Sequence, residues 1–185
     1  MKHKVLGNNI HPPFLDQFKQ IHFGMGCFWG VEKLFWELKG IWSTAVGYGG
    51  SDFENPTYEL VCSGETGHAE IVKVVYDPQV IKLDDLLRVF WDSHDPTQGM
   101  RQGNDKGTQY RSMIIVNNQS EIDLAKKSMN KVQEIFYKNG YNRITTEICI
   151  YKNFFYAENY HQQYLSKNPN GYCNLSGTGI NLESL

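Results

Sequence analysis

The sequence has little excess charge and no long hydrophobic run. Its 18 Lys and Arg residues nearly balance its 20 Asp and Glu residues, for a net charge of -2, and like charges form no block. Binding to nucleic acid draws its affinity from clustered cations, so it is not expected here. No apolar run approaches the roughly 20 residues of a membrane span, and residues 1–9 lack the apolar segment of a secretory signal. We therefore expect a cytoplasmic protein with no membrane association.

Cysteine is also sparse. The chain has four cysteines, none of them paired at Cys-x-x-Cys spacing: Cys27, Cys62, Cys149 and Cys173. This excludes a zinc ribbon and a thioredoxin-type motif, and the absence of a His-Glu-x-x-His segment removes another kind of metal site. Four dispersed cysteines are too few for a disulfide scaffold in a cytosolic chain of this size. No metal is expected, and each cysteine is considered separately.

The chain does have enough apolar surface to fold alone. Hydrophobic residues make up 41% of its 185 residues, and aromatic residues make up 14%. This length fits one domain and leaves no room for a second. We expect a single catalytic domain over residues 1–185, with an irregular leader at 1–19 and a flexible, coil-like tail at 167–185. One domain without heptads suggests a monomer.

Hydrophobic periodicity predicts the order of the secondary structure elements. Strands are predicted at residues 20–26, 44–48, 70–76, 110–116 and 144–150, and helices at 27–39, 83–91, 120–137 and 157–166. The order is β-α-β-β-α-β with additional helices. It favours an α+β fold, a two-layer α/β sandwich with a ferredoxin-like βαββαβ core, over a doubly wound sheet.

Cys27 is predicted at a strand-to-helix junction. Free backbone N–H groups and the helix dipole there would favour the thiolate, which is the nucleophilic form of cysteine. The alternative is a structural cysteine, because free cysteines are usually buried. The glycines of residues 24–30 do not match a dinucleotide fingerprint, since bulky Phe28 and Trp29 stand where backbone would approach a pyrophosphate.

Three further side chains near these elements have two interpretations each. Phe28 and Trp29 either form an apolar pocket around the thiol or belong to the core. Glu70 opens an apolar strand, where partial burial would raise the pKa of its carboxyl and make it a proton donor near neutral pH. The alternative for Glu70 is a solvated strand end.

His68 suggests a different enzyme class, a Cys–His hydrolase in which His68 is the base for Cys27. No sequence feature places those two side chains together. A third hypothesis is a redox-sensing or peptide-binding module in which Phe28 and Trp29 bind an apolar side chain without turnover.

The remaining cysteines differ in their surroundings. Cys62 follows an apolar pair and Cys149 alternates within a predicted strand, so both are expected in or near the core. Cys173 lies among the glycines of the tail, where it could move to meet a reactive thiol. Cys27 and Cys173 are therefore the candidate redox pair.

Several sequence blocks together resemble those of the A-type peptide methionine sulfoxide reductases, over roughly residues 20–180. The blocks are Gly-Cys-Phe-Trp-Gly at 26–30, Pro-Thr-Tyr-Glu-Leu-Val-Cys-Ser-Gly-Glu-Thr-Gly-His-Ala-Glu at 56–70, Asn-Asp-Lys-Gly-Thr-Gln-Tyr-Arg-Ser at 104–112, Ala-Glu at 157–158 with Tyr-His-Gln-Gln-Tyr-Leu at 160–165, and Asn-Pro-Asn-Gly-Tyr-Cys at 168–173. Enzymes of this class reverse the oxidation of methionine, one enzyme for each sulfoxide epimer. The resemblance implies the S epimer.

The resemblance also implies roles for individual residues. Cys27 would attack the sulfoxide sulfur and become a sulfenic acid, while Phe28 and Trp29 hold the S-methyl group. Cys173 would then form a disulfide with Cys27, and thioredoxin would reduce that disulfide. No metal or organic cofactor is implied.

Four more residues would act on the sulfoxide oxygen or order the site. Glu70 would protonate that oxygen with help from the hydroxyls of Tyr58 and Tyr110, and Asp105 would help to order the site. The implied substrates are oxidised proteins and free methionine sulfoxide.

The sequence departs from some members of the family at one place. Those members have a second recycling cysteine shortly after the first, whereas this chain has Asn181 there. The cycle is therefore expected to use two cysteines, with thioredoxin acting directly on the Cys27–Cys173 disulfide. The alternative is that Cys62 or Cys149 takes part in recycling, which their expected places in or near the core disfavour.

Overall fold

The computed structural model describes residues 1–182 as a mixed α/β structure. The strands are β1 Lys19–Gly24, β2 Ile41–Gly49, β3 Ala69–Tyr76, β4 Arg101–Gln102, β5 Asp105–Lys106, β6 Met113–Val116, β7 Glu147–Ile150 and β8 Phe155–Tyr156. The helices are α1 Phe28–Trp36, α2 Tyr58–Cys62, α3 Leu83–Ser93, α4 Gln119–Lys138 and α5 Tyr164–Lys167, with a 3-10 turn at Thr108–Tyr110.

A mostly antiparallel sheet forms the centre of the structure. Six strands lie in the order β7-β6-β1-β3-β2-β8, and β4 and β5 form a separate small hairpin. The β6–β7 pair is parallel, and the other neighbours in the large sheet are antiparallel. Tyr48 of β2 lies opposite Glu70 of β3. This register places both side chains on the same face of the sheet.

The face that carries Glu70 also carries the main hydrophobic core. Alternate residues of the strands, such as Val72 and Val74, pack there against the helices. Phe35 of α1, Phe90 of α3 and Phe136 of α4 are all completely buried in this cluster. Burying one such ring stabilises the fold by about 1.5–3 kcal/mol. The core therefore fixes α1, and with it the junction that carries Cys27.

The opposite face of the sheet is covered by the chain that follows β7. Lys73 of β3 is buried there, and its Nζ donates a hydrogen bond of 2.8 Å to the Tyr156 hydroxyl. The same ammonium lies 4.3 Å from the centroid of the Phe154 ring. Burial lowers the pKa of Lys73 to about 8.

The largest error in the predicted elements is the helix at 157–166. Only α5, Tyr164–Lys167, is helical in this region. The reason is tertiary, because Gln162 accepts a hydrogen bond from Val46 N and donates one to Val46 O. The next residue, Gln163, has a left-handed backbone with φ 48°. These contacts with β2 replace the local hydrogen bonds of a helix.

Two predicted strands begin later in the structure than the sequence pattern indicates. The predicted strand at 110–116 begins only at Met113, after the 3-10 turn, and the one at 144–150 begins at Glu147. Helix α2 and strand β8 were not predicted, and both are short. Such short elements depend on tertiary contacts more than on periodicity.

The leader and the described part of the tail are irregular but packed. In the leader, Lys2 forms an isolated bridge with Asn9. Residues 168–182 of the predicted tail form coil, with Leu182 buried in the main core and Leu175 packed against it. The last three residues of the predicted tail lie outside the described part. Across residues 1–182, no helix is long and apolar enough to cross a membrane.

Candidate active site

Cys27 lies at the start of α1, as the sequence pattern predicted. Strand β1 ends at Gly24, and Cys27 is the residue immediately before the helix. Gly26 turns the chain between them with φ 91°, and a Cβ at this position would lie 2.8 Å from the Gln102 side chain. Glycine is therefore required both by the backbone conformation and by the close approach of the β4 segment.

A small pocket of about 130 Å³ opens beside Cys27. Its lining includes all of the residues that the sequence assigned to the thiol, the substrate and the acid, together with one further tyrosine. The lining residues are Cys27, Phe28, Trp29, Tyr58, Glu70, Asp105, Tyr110 and Tyr172. The structure thus brings together residues from α1, α2, β3, β5, the 3-10 turn and the tail.

Glu70 is buried in the wall of this pocket and is only 2% exposed. Its Oε2 accepts a hydrogen bond of 3.0 Å from Phe28 N, at the start of α1. The pKa of this carboxyl is raised to about 8, mainly by burial; the hydrogen bond from Phe28 N opposes the increase, and the charge of Asp105 adds a smaller increase. The interpretation of Glu70 as a solvated strand end is wrong. At pH 7 the carboxyl is mostly protonated, so it can donate a proton.

The pKa of Cys27 differs from the expectation drawn from the helix start. Burial raises the pKa of the thiol well above its ordinary value, and Glu70 raises it further. The N–H of Trp29 favours the thiolate, but this contribution is smaller than the cost of burial. The expected stabilisation of the thiolate is wrong for the free site, where Cys27 is a thiol beside a neutral acid.

Two phenols face the same space. Burial raises the pKa of Tyr58 and of Tyr110, and the nearby Glu70 carboxyl contributes in both cases. Both hydroxyls therefore remain protonated at neutral pH and can donate hydrogen bonds. Asp105 accepts a hydrogen bond of 3.0 Å from the Tyr172 hydroxyl.

An aromatic wall that includes His161 completes the pocket. Trp29 Nε1 donates a hydrogen bond of 3.0 Å to His161 Nδ1. The His161 ring lies 5.1 Å from Phe28 and 4.6 Å from Tyr58, between ring centroids. Phe28 is only 1% exposed, so it belongs to the core and lines the pocket as well. The sequence placed His161 in a predicted helix and in one block of the family resemblance but assigned it no role, because its partners Trp29 and Tyr58 are distant in the chain.

Glu158 holds the wall in place from behind. Its carboxylate accepts hydrogen bonds of 2.7 Å from the Tyr48 hydroxyl and 2.9 Å from Tyr58 N. These bonds lower the pKa of Glu158, although burial acts in the opposite direction. Glu158 thereby connects β2 to the first residue of α2, which carries the Tyr58 phenol into the pocket.

The carboxylate of Glu32, which is buried in α1, connects the segment that carries His161 to the leader. Glu32 accepts hydrogen bonds of 2.8 Å from both Gln163 N and Gln163 Nε2, and one of 3.0 Å from Thr44 Oγ1. His3 Nδ1 accepts from two backbone N–H groups, so its Nε2 carries the proton and donates to Thr44 Oγ1 at 2.8 Å. Residues of the leader therefore support the wall that carries His161.

We expect His3→Ala to lower the free energy of unfolding by about 1–3 kcal/mol, because buried groups of Thr44 and the leader backbone lose their partner. Urea denaturation measures this change. The matched control is His11→Ala, since His11 is exposed, and its effect should stay within about 0.5 kcal/mol. Equal effects in both variants would contradict a specific contribution from the buried network.

The other candidates lie away from this arrangement. His68 is buried, and its Nε2 lies 2.8 Å from Phe53 O, so the interpretation of His68 as a base for Cys27 is wrong. In the described part of the chain, no group of three His, Cys, Asp or Glu side chains is placed to hold a metal ion.

All four cysteines of the described chain are free thiols. Cys62 is exposed at the end of α2, so its expected place in or near the core is wrong. The helical turn that was not predicted carries it to the surface. Cys149 of β7 is half-buried and packs against the smaller cluster on the second face, as expected. Cys173 is exposed in the tail.

A half-buried thiol, a neutral carboxylic acid and two phenols around an apolar slot define a cysteine-dependent enzyme. Residues 19–182 match the family model described as peptide methionine sulfoxide reductase. The chain belongs to the peptide methionine sulfoxide reductase family and is an oxidoreductase.

Individual relatives agree with this assignment. The chain is 56% identical to "Peptide methionine sulfoxide reductase MsrA" of Ectopseudomonas mendocina, over 97% of this chain and 82% of the relative. Methionine sulfoxide reductase A of Corynebacterium diphtheriae superposes with a TM-score of 0.86 at 42% identity, over 97% and 87% of the two chains. Mxr1 of Saccharomyces cerevisiae in complex with Trx2 has a TM-score of 0.59 at 24% identity, over 93% and 97%, and shows the fold alone.

Proposed function

We propose that this protein reduces methionine S-sulfoxide, in proteins and as the free amino acid, to methionine. The observation that carries the proposal is the pocket of about 130 Å³ in which the Cys27 thiol, the Glu70 acid and the Phe28 and Trp29 rings meet. A pocket of this size fits a methyl sulfoxide group. The S epimer follows from the family resemblance.

Substrate binding divides between an apolar and a polar side. Phe28 and Trp29 hold the S-methyl group, which loses its contact with water there. The sulfoxide oxygen accepts hydrogen bonds from Glu70 and from the hydroxyls of Tyr58 and Tyr110. Asp105, which is held by Tyr172, orders the polar side.

In the first step the Cys27 sulfur attacks the sulfoxide sulfur. Glu70 gives its proton to the sulfoxide oxygen, and the proton of the Cys27 thiol replaces it on the Glu70 carboxylate. The oxygen passes to Cys27, which becomes a sulfenic acid, and methionine leaves. The substrate sulfur is reduced by two electrons and the Cys27 sulfur is oxidised by two, so no other redox partner is needed.

In the second step the Cys173 thiol attacks the sulfenic acid of Cys27. The S–S bond forms, the S–O bond breaks, and water leaves with the Cys173 proton. The exposure of Cys173 on a coil segment supports this role, as does its position, which is close enough to raise the pKa of Cys27.

In the last step a thioredoxin reduces the Cys27–Cys173 disulfide. The family resemblance supports a reductant of this kind. Asn181 occupies the place of a further recycling cysteine, so thioredoxin acts on this disulfide directly. Two thiols of thioredoxin are oxidised for each disulfide that is reduced.

We expect Cys173→Ser to complete one rapid turnover and then to stop. The first step needs only Cys27 and the acid, whereas thioredoxin needs a disulfide to attack. Rapid mixing should release about one methionine per enzyme at the wild-type rate, with thioredoxin-driven cycling lost. Cycling at the wild-type rate would show that another thiol resolves the sulfenic acid.

We infer that residues 1–185 act as one catalytic domain, since the pocket combines residues from both ends and the middle of the chain. The absence of heptads in the sequence supports a monomer. The flexibility of the tail stays a prediction. Tyr172 and Asn174, on either side of Cys173, are hydrogen-bonded to the rest of the structure, so rotation of the Cys173 side chain is the motion that carries its sulfur to Cys27. Four free thiols fit a reducing compartment and therefore support a cytoplasmic location.

We also infer that the four central strands form a ferredoxin-like core. Their order β6-β1-β3-β2, antiparallel throughout, supports this assignment. Helix α1 connects β1 to β2, and α3 lies between β3 and β6, which gives the order βαββαβ. Helix α4 follows β6 and is additional to this core. The pocket then lies at the end of β1, where α1 begins.

A further inference from the structure

Gly30 is buried within α1, three residues after Cys27. Glycine weakens a helix interior relative to alanine, so its presence there is explained by something outside the helix. A Cβ at this position would lie 2.8 Å from Cys173 Sγ and 3.2 Å from Leu175 Cβ. The missing side chain leaves a recess on α1, and the sulfur of Cys173 lies in it.

The contact is too short for alanine to be accommodated without a shift. Non-bonded carbon atoms prefer separations of about 3.5–4.0 Å, and sulfur is larger than carbon. A methyl group at residue 30 would therefore displace Cys173 Sγ by about 1 Å. Rotation of the Cys173 side chain would relieve the contact, but it would also change where the sulfur points.

The recess lies close to the thiol that must be resolved. Cys27 is the residue before α1, and Gly30 is the third residue of that helix. A helix rises about 1.5 Å per residue, so the recess lies within about one helical turn of Cys27. The Cys173 sulfur there is near enough to raise the pKa of the Cys27 thiol.

Contacts on both sides of Cys173 hold the tail over the recess. Before it, the Tyr172 hydroxyl donates to Asp105 at 3.0 Å. After it, Asn174 Nδ2 donates to Gln102 O at 3.1 Å, and Leu175 packs against the main core. With the backbone held in this way, the position of the sulfur depends on the space left at residue 30.

We propose that Gly30 is a positioning residue for the second step: it seats the Cys173 sulfur beside α1 for its attack on oxidised Cys27. The inference rests on the proposed function, in which Cys27–SOH and Cys173–SH give a disulfide and water. Gly30 takes no part in the first step.

The test is Gly30→Ala, mixed rapidly with one equivalent of a methionine S-sulfoxide peptide and no reductant. Methionine release should match the wild type, because Cys27, Glu70 and the pocket are unchanged. Loss of the two thiols as a disulfide should slow by about tenfold or more, since a displacement of 1 Å has effects of this order. A dione that traps sulfenic acids should label Cys27 in the variant while the disulfide is still forming.

Two controls separate this effect from general damage. In Gly30→Ala/Cys173→Ser, methionine release should match that of Cys173→Ser alone. Lys33→Ala, on the same helix, removes an exposed side chain whose ion pair with Glu37 spans 4.0 Å, and this variant should form the disulfide at the wild-type rate.

The outcomes that overturn the inference are distinct from failure of the proposed cycle. If the wild type forms a Cys27–Cys173 disulfide and Gly30→Ala forms it equally fast, only the positioning role of Gly30 is overturned. Slower methionine release in Gly30→Ala also overturns it, because the residue would then act in the first step. If the wild type forms no such disulfide, both the proposed cycle and the positioning role of Gly30 are overturned.

Discussion

Cys27→Ser is expected to abolish the reduction of methionine S-sulfoxide, with a loss of about 10⁴-fold or more in single-turnover rate. The serine oxygen cannot take over the sulfoxide oxygen as the cysteine sulfur does, because sulfur has an accessible sulfenic acid state and a hydroxyl has no counterpart. The measurement is methionine release with excess enzyme, so that recycling plays no part in the result.

The matched control for Cys27→Ser is Cys149→Ser. Cys149 of β7 packs on the opposite face of the sheet and is not a pocket-lining residue, whereas the Cys62 side chain is hydrogen-bonded to Tyr58. This variant should release methionine at the wild-type rate. Turnover by Cys27→Ser would contradict the role of Cys27 as nucleophile. Binding of the sulfoxide by the wild type without turnover would instead favour a peptide-binding module.

Glu70→Gln is expected to slow the first chemical step by about 10²-fold or more. Glutamine keeps the shape of the side chain and an oxygen that can accept the hydrogen bond from Phe28 N, but it has no proton to give. Substrate binding should change much less than the rate. Single-turnover rates over a range of sulfoxide concentrations separate the two effects.

The pH dependence gives Glu70→Gln a second readout. Because burial raises the pKa of Glu70 to about 8, the wild-type rate should fall as the pH rises through about 8, when the acid loses its proton. The glutamine variant should lack that decrease. Glu59→Gln, on exposed α2, is the matched control and should keep both the rate and the pH profile. A wild-type rate in Glu70→Gln would remove the acid role.

The same pKa has a consequence for stability. The folded pKa of Glu70 lies above its ordinary value of 4.5, so folded protein binds this proton more strongly than unfolded protein does. Its contribution to stability is complete below about pH 4.5 and is lost as the pH rises through about 8. Relative to Glu70→Gln, the wild type should therefore lose free energy of unfolding across that interval.

Local patterns determine a large part of this fold. The alternation of β3 and the helical spacing of α1, α3 and α4 can be recognised in the chain, because each element buries one face along a regular period. The turn of glycines before Cys27 is equally local. Where a segment instead follows contacts with distant strands, as at Gln162 and Gln163, the helix predicted from its composition does not form.

The residues of the site divide in the same way. Cys27, Phe28 and Trp29 adjoin one another in the chain, and Glu70 opens a recognisable strand. His161, Glu158 and Glu32 could not be assigned, since the signal for each lies in its partners and not in its neighbours. Exposure of Cys62 likewise depends on a helix of only five residues.

The sequence by itself determined the family, the candidate nucleophile and acid, and the number of cysteines available for the cycle, because these depend on residue type and order along the chain. Only the tertiary structure decided the protonation states of Cys27 and Glu70 and the position of the Cys173 sulfur beside Gly30. Burial sets the cost of charge, and packing sets the space at an atom. Both arise from residues distant in the chain, so neither is encoded in a local pattern.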